Sequence, residues 1–358
     1  MFRKNIVIIW LSAMCCLMPA MAQVKVKNVI FVVGDGTGVA QVYASIVQAG
    51  DKSAFLRFPV SGFSRTYCLD RYTTDSGAGG TALMTGHKVN YHAIGEAPDG
   101  TDYPSFLELA DANLSKSSGF VVTSSVLDAT PASTYAHVPD RKLMDSISIQ
   151  MARCRHSIMI GGDYGHFLRA NRKDNNNPID TLRARGYQVT FSPDSMRSSN
   201  SDKLVMLFGK DEYPPSAKKR NGLLPDGVKK ALDILSKNPN GFTLLVEGSQ
   251  IDWACHNNDA PYMFEELAEF DSVLNYILDW AEKDGETLVI VTADHETGGV
   301  SLPKGNIEDG TSKVKFSTQN HTGIMVPVFA YGPGSERFTG IMQNTDIFYK
   351  INDLLQGK

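Results

Sequence analysis

The sequence predicts an α/β fold: a three-layer sandwich with a central, mostly parallel sheet and helices on both faces. Three observations lead there. Segment 26–33 is rich in apolar residues, as in a strand buried on both faces. Strand-like and helix-like runs then alternate along the chain. Several strand-like runs end in Asp, Glu, His or Gly, the position where open parallel sheets bind ligands.

The elements follow in order. After the first strand, 105–112 has a helical pattern and 119–123 reads as the next strand. A helix over 143–153 precedes a short strand at 158–161, and 204–208 is again a strand. Helix 227–236 leads into strand 243–246, and a long helix over 262–283 leads into strand 287–292. Strand 326–330 and a closing helix over 346–355 complete the set. The polar stretches 171–178 and 192–203 read as surface loops.

The chain has 358 residues, enough for one large or two medium domains. With no repeat and no linker, one domain over 23–358 is expected. At 42% hydrophobic and 21% charged residues, a disordered or collagen-like chain is excluded. The net charge of −4 comes without a long basic stripe, so no nucleic-acid partner is expected. Residues 1–22 read as a signal peptide. Arg3 and Lys4 form a basic start, 6–18 is apolar, and Ala20-Met21-Ala22 is a small-x-small cleavage pattern near Ala22/Gln23. An exported protein, periplasmic or secreted and without a stable membrane anchor, is therefore expected. Removing Arg3 and Lys4, with no acid, takes its charge from −4 to −6. Cys68, Cys154 and Cys255 then remain, an odd number that leaves at least one thiol outside any internal pair.

The chemistry-bearing residues fall at strand ends. Asp35 follows the first strand in Gly34-Asp35-Gly36-Thr37-Gly38. An Asp-Gly step alone is an ordinary turn, but a carboxylate there can also bind metal. Ser76 opens a run of small residues, Ser76-Gly77-Ala78-Gly79-Gly80, which suits a tightly packed helix N-terminus. Such an end favours an anion, and Ser76 is a candidate nucleophile; a plain N-cap serine is the bland alternative. Glu247 ends a strand, and Asp252 and His256 follow at i, i+4, which puts both on one helix face. An ordinary helix-face pair has the same spacing. Asp294-His295 follows the apolar run Leu288-Val289-Ile290-Val291, and His321 lies in a loop before the strand at 326–330. Thr130 offers a hydroxyl to a hard cation, and Arg141 a planar fork to phosphate oxygens. Each has a bland reading alone; together they place metal ligands, a nucleophile and an anion-binding group at one end of the sheet.

This set resembles the alkaline phosphatases, in blocks at 34–38, 74–86, 128–141, 247–256 and 294–299, with a shorter match at 321–323. The resemblance implies an exported phosphomonoesterase with two zinc ions and one magnesium ion. One zinc would be held by Asp252, His256 and His321. The second would be held by Asp35, Asp294 and His295, with the Ser76 oxygen. Magnesium would be held by Asp35, Thr130 and Glu247. Asp128 would orient a magnesium-bound water, Arg141 would bind phosphate oxygens, and Trp253 would lie near the substrate. Ser76 would form a phosphoserine intermediate, with small-molecule phosphate monoesters as substrates.

Three features depart from other members. Trp253 stands where some carry Lys or His, and Asp128 where others carry His. Only 25 residues separate His295 from His321, too few for the large insertion that some members use at a dimer interface, so homodimerisation is left open. A related esterase of sulfates or phosphodiesters is the first alternative. The sequence around Ser76 lacks the sulfatase modification motif, and Thr130, Glu247 and Arg141 favour monoesters. An exported phosphate- or metal-binding protein is the second, and it would need no nucleophile.

Overall fold

The computed structural model describes residues 25–210 and 216–358, so the leader expected at 1–22 lies outside the described residues. The strands of the main sheet, in chain order, begin with β1 (Asn28–Gly34), β2 (Val60–Arg65), β3 (Ser117–Ser125) and β4 (Ile158–Gly162). They continue with β5 (Gln188–Thr190), β6 (Leu204–Phe208), β7 (Phe242–Gly248) and β8 (Thr287–Thr292). Next come two small ladders, made by β9 (Glu296–Thr297), β10 (Ser301–Asn306), β11 (Thr311–Lys315) and β12 (His321–Thr322). β13 (Val326–Tyr331) and β14 (Gly340–Gln343) return to the main sheet. Its order is β14-β2-β13-β8-β1-β7-β3-β4-β6-β5.

Among the described strands of this sheet, β13 alone runs against its neighbours. The cause is chain length. β13 starts four residues after Thr322, at the carboxyl end of the sheet, and a parallel return needs a crossover of roughly a dozen residues or more. The mostly parallel sheet expected from the alternation is thus present, with one reversed strand.

β1 shows why both faces are covered. Its alternate residues Val29, Phe31 and Val33 pack into one apolar layer with Phe106, Ile147 and Ile351. Ile30 and Val32 pack into the other with Val42, Leu267 and Phe270. Phe31 meets Phe106 edge-on, with ring centroids 5.9 Å apart. Each such side chain, fully buried, stabilises the fold by roughly 1.5–3 kcal/mol.

Two expectations change in detail. The stretch 192–203 is not all loop, because Pro193–Ser198 forms a helix with Pro in its first turn, where a missing N–H costs nothing. The strand expected at 243–246 extends to Gly248, which places Glu247 inside β7 rather than beyond it. No helix among the described residues is long and apolar enough to cross a membrane.

Candidate active site

Four adjacent strands, β8, β1, β7 and β3, end level with one another and deliver most of the candidate residues. Gly34 pairs with Gly248, and Val33 with Thr292, so Asp35 leaves β1 between the ends of both neighbours. Gly36 follows with φ +66°, and a Cβ there would lie 2.8 Å from both Asp252 Oδ1 and Thr297 Oγ1. Only glycine lets the Asp35 loop approach this closely. Helix Gln250–His256 starts two residues after β7 and carries Asp252 and His256. His321 is brought in by the β12–β9 ladder, where it pairs with Thr297.

Ser76 is the first residue of helix Ser76–Thr85. Asp75 caps this helix, accepting from the Gly77 and Ala78 N–H groups at 3.1 and 3.3 Å. The small residues have a packing reason: a Cβ on Gly79 would lie 3.0 Å from the Asp294 carbonyl oxygen. The helix start therefore sits directly against the Asp294 loop, and Ser76 Oγ lies 3.2 Å from His295 Nε2.

Two ligand clusters result. Asp35, Asp294 and His295 each offer one atom within 4.8 Å of the others, and so do Asp252, His295 and His321. His256 reaches the second cluster too, with Nε2 3.3 Å from Asp252 Oδ2 and 3.0 Å from His321 Nε2. His295 faces both clusters, and its ring stacks on His321 with centroids 3.6 Å apart. Thr297 Oγ1 bridges the clusters, 2.5 Å from Asp252 Oδ1 and 3.2 Å from His295 Nδ1.

The electrostatics fit cations. Asp35 Oδ1, Glu247 Oε2 and Asp294 Oδ2 are buried and have no hydrogen-bond donor. Leaving buried carboxylate oxygens so is costly unless a positive charge meets them. Burial, then Asp294, Asp252 and Glu247, push the Asp35 carboxyl well above the usual range. Burial and the Asp128 charge push Glu247 up to about 8, while Thr130 beside it favours the charged form. Burial would raise Asp252 as well, but the bond to His256 and the nearby imidazoles outweigh it and hold it at about 2. Burial and His295 bring His321 down to about 4, which keeps its lone pair free for a ligand bond.

Arg141 lies beside the start of the Ser76 helix, largely buried. Its Nη1 donates to Asp75 Oδ2 at 2.9 Å and its Nη2 to Asp128 Oδ1 at 2.7 Å. Asp75 remains charged: burial opposes this, but Arg141 and the His92 N–H overcome it. Asp128 also caps the short helix Ala129–Ala132, so its carboxylate is committed to Arg141 and to that helix. Trp253 is half-buried on the helix that carries Asp252 and His256. Cys255 is a free, buried thiol near Gln41, and Cys68 and Cys154 are also free.

Sequence reasoning passed over Asp75, Gln41, Glu296 and Thr297 as site residues. Asp75 had one visible signal, its place one residue before Ser76 as an Asp N-cap. The other three act through contacts between distant loops, which no local pattern carries.

A family model described as alkaline phosphatase matches residues 26–311 and 304–356. Alkaline phosphatase 4 of Bacillus subtilis is 31% identical, with 91% of this chain and 89% of that protein covered. The alkaline phosphatase of the Antarctic bacterium TAB5 has a similar structure, with TM-score 0.86 and 35% identity over 93% of this chain and 99% of its own. A histidine-to-aspartate variant of that enzyme, solved with magnesium in its M3 site, matches at TM-score 0.85 and 36% identity, covering 93% of this chain and 98% of its own.

Proposed function

The chain belongs to the alkaline phosphatase family and is a phosphomonoesterase, and we propose that it acts through a phosphoserine formed on Ser76. Two zinc ions and one magnesium ion complete the site in this reading. Asp252, His256 and His321 would hold one zinc; Asp35, Asp294 and His295, with Ser76 Oγ, the other; Asp35, Thr130 and Glu247 the magnesium. When bound, these cations supply Lewis-acid stabilisation of the attacking and leaving oxygens. The imidazole-containing sets suit zinc and the all-oxygen set suits magnesium. The resemblance puts Asp128 where other members carry histidine, and a TAB5 variant with one histidine exchanged for aspartate carries magnesium in its M3 site.

The chain's own groups supply the rest. The amino end of helix Ser76–Thr85 presents its dipole to the phosphate dianion. Arg141 binds two non-bridging oxygens with its planar fork, and Asp75 and Asp128 hold that fork in place. Ser76 Oγ attacks phosphorus, the ester P–O bond breaks, and the alcohol leaves. Water then cleaves the Ser76–phosphate bond and releases inorganic phosphate. Recognition centres on the phosphoryl group, so varied leaving groups are accepted. Trp253 lies beside the substrate in this reading, and the leader at 1–22 directs export.

The observation that carries the proposal is the position of Ser76 Oγ, 3.2 Å from Nε2 of His295, the residue common to both ligand clusters. The test is hydrolysis of a chromogenic phosphate monoester from mildly acidic to alkaline pH. Purified, chelator-stripped and zinc-plus-magnesium-refilled protein are compared. Activity lost on stripping and restored by both ions supports the proposal. Phosphate binding without turnover in any metal condition would favour a binding protein instead.

A further inference from the structure

We propose that Gln41 is a positioning residue, locking the loop that carries Asp35 to the loop that carries Asp294 and His295. The inference rests on the metal-dependent reading above. Gln41 lies in the first turn of helix Val39–Ala49 and is fully buried, although Val39 beside it is half-exposed. Its Oε1 accepts from the Gly38 N–H at 3.1 Å. Its Nε2 donates to the Gly36 carbonyl at 3.3 Å, to Glu296 Oε1 at 3.0 Å and to the Thr297 carbonyl at 3.0 Å. One side-chain amide thus holds the backbone just after Asp35 and the backbone just after His295.

Glu296 extends the clamp. Its Oε1 also accepts from the Val300 N–H at 3.0 Å, and its Oε2 from the Gly299 N–H at 3.3 Å and from the Thr322 hydroxyl. Thr322 follows His321 and pairs with Glu296 in the β12–β9 ladder. The line Gln41–Glu296–Thr322 therefore crosses three ligand-bearing loops, and there is no slack in it: a Cβ on Gly38 would lie 2.5 Å from Glu296 Cγ.

The chemistry requires an amide. Three oxygens surround the Gln41 nitrogen and one N–H meets its oxygen. A glutamate of the same shape would set its carboxylate against those acceptors and against Glu296. A methionine would fill the space and bond to none of them. Ligands held in place before the ion arrives bind it more tightly, and loss of such support costs about 10–100-fold in metal affinity or activity.

The experiment uses the metal-stripped full-length protein and its Gln41→Met, Gln41→Glu and Thr322→Val variants. Circular dichroism establishes folding, and zinc is titrated in competition with a chromogenic chelator. The proposal predicts zinc affinity reduced about 10-fold or more in both Gln41 variants, with Thr322→Val shifted the same way. The rise in Tm on zinc loading should shrink, and kcat should fall more than KM rises. If Gln41→Glu fails to fold, Gln41→Met and Thr322→Val decide the matter. Wild-type zinc affinity and an undiminished zinc-induced Tm rise in these variants would make Gln41 a packing residue and overturn the proposal. A wild-type protein that binds no zinc would overturn the metal-dependent reading itself, and this inference with it.

Discussion

His256 and His321 point their Nε2 atoms at each other across 3.0 Å. Each Nδ1 faces a backbone carbonyl, that of Gln319 at 2.5 Å for His256 and that of Thr74 at 2.9 Å for His321. A carbonyl only accepts, so each Nδ1 carries a hydrogen, and the facing Nε2 atoms can share either a proton or a metal ion. Asp252 Oδ2, 3.3 Å from His256 Nε2, adds the negative charge that a metal ion there would meet. His321→Ala should therefore lower zinc affinity about 10-fold or more, read by elemental analysis after dialysis against a weak chelator. Undiminished zinc content would show that His321 is not a ligand.

Ser76→Ala separates catalysis from binding. Turnover should fall at least about 1000-fold, because the group that attacks phosphorus is gone. Zinc content and phosphate affinity should persist, since helix Ser76–Thr85 and Arg141 stay in place. Steady-state kinetics with metal analysis checks both, and full activity would remove Ser76 from the mechanism.

Arg141→Ala should weaken phosphate inhibition and lower kcat/KM while leaving the metal content unchanged, because its partners are Asp75 and Asp128 rather than the two ligand clusters. Loss of metal would mean that Arg141 supports the ligands. Asp75→Ala removes both a helix cap and the partner of a largely buried guanidinium. It should cost about 2–3 kcal/mol of stability in urea unfolding and also lower kcat/KM.

A pH effect should arise outside the two ligand clusters. His156 is buried between Ser118 Oγ at 2.7 Å and Thr134 Oγ1 at 3.1 Å. Burial brings its pKa from 6.5 down to about 4. The native protein thus keeps His156 neutral while the unfolded chain protonates it. The resulting stability is present above pH 6.5 and is lost as the pH falls toward 4. Wild type should lose about 2 kcal/mol from this residue between pH 7 and 5, and His156→Gln should not lose that part. Urea unfolding of both proteins at the two pH values measures the difference.

The convergence of the candidate residues at one end of the sheet was largely legible in the sequence, and for a specific reason. Asp35, Glu247, Asp294 and His295 stand at or just beyond the ends of apolar strands, so strand pattern and ligand position are read together. The sharing of His295 was not legible, since it arises where the β12–β9 ladder stacks His321 on its ring. The Gln41–Glu296 clamp was hidden for the same reason, its partners lying 255 positions apart in the chain. In the fold, the strongly apolar central strands β1, β7 and β8 stood out. The edge strand β14 and its neighbour β2 carry mixed polar patterns and exposed residues, and helix Val39–Ala49 follows a glycine loop without a cap side chain.

The most direct measurement is peptide mass spectrometry of the zinc- and magnesium-loaded protein, quenched in acid during turnover of a phosphate monoester. A phosphoryl group should appear on the peptide that contains Ser76. It should be absent from Ser76→Ala and from the chelator-stripped protein. Steady turnover with phosphate found on another residue, or on none, would contradict a phosphoserine at Ser76.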